Sequence, residues 1–195
     1  EIGVRLVGSE MCIRDSGIGS AYMYQNKLMD GVQGNAGYIG HTVLNAEGPM
    51  CVCGNRGCLD AYAGELALNR RYQELTNSEN ESYYTMRDFM KLSRNGDAVS
   101  QKILKDAAFY LGITISNLIK ILEPKMVLIA SCEPLKGTTY WNIMEETIKK
   151  YHINEMETRL ELREAQLLED DYALGACCYV FEYLFETPRL SLAIL

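Results

Sequence analysis

The pattern of hydrophobic and polar positions divides the chain into two regions. Between residues 17 and 47, glycines separate short alternating runs such as SAYMYQNKL and IGHTVL, which predicts strands joined by tight turns. From Cys58 onward the apolar residues recur at helical spacing, which predicts amphipathic helices. Because strands alternate with helices along the chain, the sequence predicts an α/β fold.

Further helices and strands are predicted after Cys58. The helices cover residues 58–75, 85–96, 97–122, 138–151 and 171–186, and the strands cover 125–131 and 158–167. Thr85 is the expected N-cap of the second helix, and Gly96 is its stop signal. The third helix is the longest and ends before Pro124, which cannot continue a helix. One face of that helix carries Val99, Ile103, Leu104, Ala107, Leu111, Ile115, Leu118 and Leu122.

Composition and charge limit the classes of function. The chain has 195 residues, 48% of them hydrophobic, which is enough for one large domain with a buried core. Its net charge of −7 argues against a nucleic-acid-binding surface, because such surfaces are normally basic. Neither a signal peptide nor an apolar run of roughly 18 residues is present, so we expect a cytoplasmic protein that does not bind a membrane.

The segment GHTVLNAEGPMCVCGNRGC predicts a metal-binding loop over residues 41–58. One imidazole and three thiolates form a ligand set that suits tetrahedral zinc. The predicted ligands are His41, Cys51, Cys53 and Cys58. Gly54 and Gly57 allow the backbone to turn back so that the sulfurs can point at one centre. Four protein ligands leave no open position, so the expected zinc is structural and staples the loop. The alternative is three buried cysteines and a surface histidine without a metal.

Residues 17–64, from GIGSAYMY to CLDAYAG, resemble the central signature of the ROK family. This family contains bacterial sugar kinases, such as glucokinases and N-acetylmannosamine kinases, and sugar-responsive repressors of the xylose and N-acetylglucosamine type. A weaker similarity continues to ALGACCYVFEYLF. The resemblance implies an actin-like, ribonuclease-H-like ATPase fold, of which residues 17–195 would form only the C-terminal lobe.

The resemblance also implies a sugar site. In ROK kinases a glutamate accepts hydrogen bonds from sugar hydroxyls, and a histidine is shared between zinc and sugar. Here the histidine is His41, but Tyr38 stands at the glutamate position. A second acidic sugar contact is Asp60, one methylene shorter than the family's glutamate. Because a phenol lacks the charge and the two acceptor oxygens of a carboxylate, Tyr38 is expected to weaken or reshape hexose binding.

Nucleotide binding is the second point of departure from the family. Gly17 and Gly19 match the phosphate-binding turn, although a lone Gly-x-Gly is also common in hairpins. The family has a glycine-rich turn close to the adenosine of ATP where this chain has residues 130–132, Ala-Ser-Cys. This change indicates either a neutral substitution in a loop that tolerates sequence variation or loss of nucleotide binding. The catalytic aspartate and the first phosphate loop of the family belong upstream, so no catalytic residue is assigned.

Two functional hypotheses follow from the resemblance. The preferred one is the sugar-sensing portion of a ROK transcriptional repressor without kinase activity. Such a protein would bind a small sugar, form a homodimer, and contact DNA only through a helix-turn-helix that precedes this segment. The alternative is a fragment of a divergent ATP-dependent sugar kinase, which would also require ATP and Mg²⁺.

The segment MCIRDS, residues 11–16, has a different interpretation. It is one reading frame of the transposase mosaic-end adapter used in sequencing libraries, and its charges fit poorly in a buried central strand. We therefore expect residues 1–16 to be an artefact or a displaced remnant and Cys12 and Asp15 to carry no function. The alternative is a divergent strand whose sequence coincides with the adapter.

Overall fold

The chain divides into two compact units, Glu1–Ala165 and Gln166–Leu195. The computed structural model describes residues 3–8, 17–25, 27–77, 82–131, 133–151 and 160–165 of the first unit, with backbone only for 3–8. In the second unit it describes 174–175 and 177–178, which are helical and fall within the predicted helix over 171–186. The predictions on residues 11–16, on Cys132 and on the rest of that helix lie outside the described residues.

A five-stranded mixed sheet organises the first unit. Its strands are β1 (Gly3–Gly8), β2 (Ile18–Tyr24), β3 (Lys27–Leu28), β4 (Met126–Ala130) and β5 (Glu161–Ala165). They are arranged in the order β3-β2-β1-β4-β5. Strands β1 to β3 pair antiparallel, whereas β1, β4 and β5 pair parallel. The central strand β1 thus joins the hairpin β2–β3 to the parallel part of the sheet.

Strand β1 pairs with β2 on one side and with β4 on the other, in a defined register. Leu6 lies opposite Ser20 of β2 and opposite Ile129 of β4. The backbone of residues 3–7 is therefore paired on both sides, in a place where the sequence predicts no strand. Whether residues 1–16 are foreign to the natural protein stays a prediction.

The helices of the first unit follow the predicted order. They are α1 (Asp60–Ala63), α2 (Glu65–Thr76), α3 (Met86–Arg94), α4 (Ala98–Leu122) and α5 (Thr139–Lys150), with a 3-10 helix at Ile39–His41. Within the described part of the chain, no helix is both long enough and apolar enough to cross a membrane.

Side-chain caps begin helices α3, α4 and α5. Thr85 and Asp88 form a reciprocal capping box at the start of α3, as the sequence predicts for Thr85. Asp97 caps α4, and Thr138 caps α5. Helix α4 ends at Leu122, two residues before the predicted stop at Pro124. These local signals set the helix boundaries before any tertiary contact is considered.

The hydrophobic core lies between β4 and helices α2 to α5. Most of the apolar face predicted for α4 is buried, and its ends at Val99, Leu118 and Leu122 are partly exposed. Helices α4 and α5 approach closely at Gly112, where an added Cβ would lie 2.7 Å from the Cβ of Thr147. The buried core includes Leu68, Phe89, Ile103, Leu104, Ala107, Ile115, Ile119, Val127, Ile129, Trp141, Met144 and Ile148.

Two predicted elements differ in the structure. The run IGHTVL is not a strand; it forms the 3-10 helix and one isolated bridge between Val43 and Cys58. The predicted helix over 58–75 is divided at Gly64, whose extended backbone (φ −71°, ψ 151°) ends α1 and begins α2. An added Cβ at Gly64 would lie 2.8 Å from the carbonyl oxygen of Asp60, so this corner requires a residue without a side chain.

Candidate metal and ligand site

The loop over residues 41–58 is folded by its own backbone hydrogen bonds. The Cys51 N–H donates to the carbonyl of Asn55 at 2.8 Å, and the Gly54 N–H donates to the carbonyl of Cys51 at 3.0 Å. Gly54 and Gly57 have φ values of +91° and +68°, in the left-handed region that favours glycine. The role predicted for these two glycines, which is to let the chain turn back, agrees with this backbone geometry.

This turn brings the predicted metal ligands together. One ligand atom from each of His41, Cys51, Cys53 and Cys58 lies within 4.8 Å of the other three. The Sγ atoms of Cys53 and Cys58 are 3.7 Å apart, and Cys51 Sγ is 3.7 Å from His41 Nδ1. A disulfide would need an S–S distance of about 2.0 Å, so these cysteines are free thiols.

The distances fit a tetrahedral ion. Zinc–sulfur bonds of about 2.3 Å place two sulfurs of a tetrahedron about 3.8 Å apart, and a zinc–nitrogen bond of about 2.0 Å places sulfur and nitrogen about 3.5 Å apart. The two observed separations of 3.7 Å are close to these values. The four residues, whose ligand atoms all lie within 4.8 Å of one another, could therefore hold a metal ion.

Burial and hydrogen bonding shift the pKa values of Cys58 and Cys53 in opposite directions. Cys58 is fully buried, and burial together with the neighbouring thiols of Cys53 and Cys51 raises its pKa to about 12. A hydrogen bond from the backbone of Asn55 lowers the pKa of the exposed Cys53 thiol. Without a cation the buried thiol stays neutral, and a bound metal ion favours its thiolate form. Metal binding at this site is thus expected to release protons.

Asp60 connects the metal loop to the sheet. Its Oδ1 accepts a hydrogen bond from the N–H of Ile18 at 2.8 Å, and its Oδ2 lies 3.8 Å from His41 Nδ1. Burial raises the pKa of Asp60, while the Ile18 hydrogen bond and the nearby His41 oppose this shift. One carboxylate therefore links the first residue of β2, the 3-10 helix and the first residue of α1.

Glycines allow this close approach to Asp60. An added Cβ at Gly40 would lie 2.5 Å from Asp60 Oδ1, and one at Gly17 would lie 2.9 Å from Asp60 Oδ2. An added Cβ at Gly19 meets nothing within 4 Å. The assignment of Gly17 and Gly19 to phosphate binding stays a prediction, but the structure shows that Gly17 borders the Asp60 carboxylate.

Tyr38 lies at the edge of this cluster. Its side chain is 65% exposed, and its ring centroid is 6.3 Å from that of His41. His41 itself is half-buried. The structure thus brings together the three predicted sugar-binding residues, with Tyr38 at the exposed side and Asp60 at the buried side. The assignment of Tyr38, His41 and Asp60 to sugar binding stays a prediction.

The loop between β4 and α5 is held by charged side chains that the sequence analysis did not single out. Glu133 accepts from Arg87 Nε at 2.9 Å and lies 3.5 Å from Arg94 Nη1, so α3 is tied to the loop. The carboxylate of Glu164 in β5 accepts hydrogen bonds from the N–H groups of Leu135 and Lys136. Spacing along the chain gives no signal for these pairs, because their partners are 28 to 46 residues apart.

Comparison of the chain with a model of a protein family identifies the family to which it belongs. A model of the ROK family matches residues 11–182. The chain belongs to the ROK family. The sequence resemblance noted in residues 17–64 is therefore confirmed, and it extends over most of the chain.

ROK relatives of two functional kinds are similar to this chain. The xylose repressor of Caldicellulosiruptor bescii is 27% identical over 184 residues, covering 90% of this chain and 46% of the repressor. The glucokinase of Halalkalibacterium halodurans is 28% identical over 171 residues, covering 82% of this chain and 52% of the glucokinase. This chain thus spans about half the length of the curated relatives it matches.

Solved ROK structures have the same fold. The crystal structure of the ROK hexokinase from Thermus thermophilus matches 96% of this chain and 59% of its own, with a TM-score of 0.79 and 26% identity. ROK membership and this likeness identify an actin-like fold with mixed α/β content, as the sequence resemblance implies. Repressors and kinases share this architecture, so the fold alone does not distinguish them.

Proposed function

We propose that this chain is the sugar-sensing, zinc-binding part of a ROK transcriptional repressor without kinase activity. In this proposal the chain forms the C-terminal lobe of a longer protein of the xylose or N-acetylglucosamine repressor type. The longer protein would be a homodimer and would contact DNA through a helix-turn-helix outside this segment. The net charge of −7 supports a DNA contact located elsewhere.

The observation that carries the proposal is the loop after β4. ROK kinases are expected to have a glycine-rich turn here, because the backbone must approach ATP closely. In this chain Ala130 and Ser131 add side chains at that turn, and Ser131 Oγ lies 3.5 Å from the N–H of Glu133. Glu133 also forms surface ion pairs with Arg87 and Arg94, which connect the loop to α3. Side chains in place of the expected glycines support loss of nucleotide binding.

Zinc is the ion that we assign to the metal site. The Cys₃His ligand set and the separations of 3.7 Å favour it, since softer sulfur ligands select zinc over magnesium or calcium. His41 and the three cysteines would hold the ion and leave no open coordination position. When bound, the ion supplies positive charge that stabilises the thiolates and closes the loop, without taking part in a reaction.

The sugar would bind beside this loop. Asp60 offers a carboxylate with one oxygen occupied by Ile18 and the other directed toward His41. His41 would link the metal to the sugar, since one ring nitrogen can bind the ion while the other contacts a hydroxyl. Tyr38 offers an exposed phenol, which can stack on a sugar ring or bond one hydroxyl.

The alternative function is a divergent ATP-dependent sugar kinase. The similarity to the glucokinase of Halalkalibacterium halodurans supports it, because that enzyme is 28% identical to this chain and the xylose repressor is 27% identical. A kinase would need its catalytic aspartate and first phosphate loop in the segment that precedes this chain, and it would need ATP with Mg²⁺.

The two functions are distinguished in the protein encoded by the complete gene. We expect calorimetric titration to detect binding of xylose or N-acetylglucosamine, no heat with an ATP analogue and Mg²⁺, and no ATP-dependent phosphorylation of either sugar. The matched variant Asp60→Asn keeps the side-chain size but lacks the charge, and it should bind the sugar more weakly. ATP-dependent phosphorylation, or an upstream Asp-x-Gly-Gly-Thr phosphate loop in place of a helix-turn-helix, would refute the repressor assignment.

A further inference from the structure

The four metal ligands differ in their access to solvent. Cys51 and Cys58 are buried, with 5% and 0% of their surfaces exposed, whereas Cys53 is exposed. Cys53 follows Val52, which is 74% exposed at the tip of the loop. A soluble oxidant therefore meets one sulfur of the cluster before the other two.

The exposed sulfur also has a partner at close range. Cys53 Sγ lies 3.7 Å from Cys58 Sγ, so a shift of about 1.7 Å would bring the pair to the length of a disulfide. A bond between Cys53 and Cys51 would close a much smaller ring, because only Val52 separates these two cysteines. The Cys53–Cys58 pair spans a turn that contains Gly54, where an added Cβ would meet nothing within 4 Å, so the backbone has room to move beside Cys53.

We propose that Cys53 is an oxidation site, and that hydrogen peroxide converts the Cys53–Cys58 pair to a disulfide with release of the metal ion. The inference rests on the zinc site of the proposed function. It adds a reversible chemical modification that the sugar-sensing role does not require.

The chemistry balances with one peroxide molecule. The Cys53 thiolate attacks one peroxide oxygen, the O–O bond breaks, and Cys53 becomes a sulfenic acid as hydroxide leaves. The Cys58 thiolate then attacks the sulfenic sulfur, the S–S bond forms, and a second hydroxide leaves. Two sulfurs are each oxidised by one electron, peroxide is reduced by two, and protons from solvent convert both hydroxides to water.

Oxidation would also affect the proposed sugar site. After the disulfide forms, His41 and Cys51 remain as ligands, and two ligands do not complete a tetrahedral site. His41 Nδ1 lies 3.8 Å from Asp60 Oδ2. Without the metal ion, the ring of His41 is no longer held in this position beside Asp60. The loop thus couples the redox state of Cys53 to the geometry of the sugar contacts.

The test uses the reduced, zinc-loaded protein and hydrogen peroxide. Released zinc is followed with a colorimetric zinc chelator, and the disulfide is mapped by mass spectrometry after alkylation and proteolysis. We expect about one zinc released per chain, a Cys53–Cys58 crosslink, and recovery of zinc binding after treatment with dithiothreitol. The Cys53→His variant keeps four nitrogen and sulfur ligands, and it should bind zinc yet retain it in peroxide.

The control variant is Cys178→Ser, which removes a thiol outside the metal loop and should behave like the unmodified protein. Retention of zinc in peroxide by the loaded protein, or a crosslink that leaves Cys53 free, would overturn the inference while the zinc site stands. A reduced protein that binds no zinc would overturn both, and metal analysis before peroxide addition identifies that case. Equal zinc release from Cys53→His would also overturn the assigned role of Cys53.

Discussion

Substitution of Gly40 by alanine tests whether Asp60 organises the site. A Cβ added at this position would lie 2.5 Å from Asp60 Oδ1 and 2.5 Å from the carbonyl oxygen of Ile18. Gly40 is outside the left-handed backbone region, so alanine can adopt its φ, and the cost comes from the steric clash alone. The added methyl group must displace either a backbone carbonyl or the carboxylate that accepts the Ile18 hydrogen bond.

The magnitude follows from these two contacts. Forcing one extra carbon into a packed site costs about 1–3 kcal/mol. Weakening the hydrogen bond between the Ile18 N–H and the charged Asp60 adds about 1–2 kcal/mol. We therefore expect Gly40→Ala to lower the free energy of unfolding by about 3 kcal/mol. For a domain of this size, that loss lowers the melting temperature by roughly 6–12 °C.

Thermal and urea unfolding followed by circular dichroism measure this loss, with zinc in excess for every variant. The matched control is Gly19→Ala in β2, where an added Cβ meets nothing within 4 Å. The control should equal the unmodified protein or exceed its stability by about 0.4–1 kcal/mol, because alanine restricts the unfolded chain. Equal stability of the two variants would refute the described contact between Gly40 and Asp60.

Three further predictions concern the metal, the ligand site and a helix cap. Removal of zinc by a chelator should lower the free energy of unfolding by about 4 kcal/mol, compared with the protein in zinc at roughly 1,000 times the Kd. Thermal unfolding measures the difference, and no change would contradict the assigned ligands. Tyr38→Glu should bind hexose roughly tenfold more tightly in calorimetric titration, because it restores a charged acceptor, whereas Tyr38→Gln should gain less. Asp88→Ala should cost about 1 kcal/mol at about pH 7, because Thr85 donates to Asp88 through its N–H (2.9 Å) and its hydroxyl (2.7 Å). The Thr85 hydrogen bonds lower the pKa of Asp88, so this stability is present above the unfolded pKa and is lost as pH falls through the native value. Urea unfolding should therefore show the gap between Asp88→Ala and the unmodified protein narrowing below about pH 4, and a constant gap would contradict the capping role.

Local signals in the sequence predicted the helices well. Thr85 and Gly96 bracket α3, and the apolar positions from Ile103 to Ile115 identify the buried face of α4. These features depend on residues within a few turns of one another, so spacing alone reveals them. The cysteine spacing likewise predicted the cluster of His41 with the three thiols, since a loop of 18 residues confines its ligands to one place.

The hydrophobic pattern predicted the wrong secondary structure in two segments close to the candidate site. IGHTVL alternates as a strand would, but Gly40 and His41 are drawn into a 3-10 helix beside Asp60. The break at Gly64 also escaped prediction, because a glycine within a helical pattern carries no sign of the corner it makes. In both places contacts made after the chain folds outweigh the local preference of the residues.

The sequence by itself therefore determined the boundaries of α3 and α4, the clustering of His41 with three cysteines and the ROK membership of this chain. Only the tertiary structure decided that the Asp60 carboxylate joins Ile18 to the region of His41, and that Arg87 and Arg94 of α3 fix Glu133 after β4. The physical reason is the distance along the chain. Periodicity and capping act between near neighbours, whereas these charged contacts join residues 19 to 46 positions apart, which only the folded chain brings together.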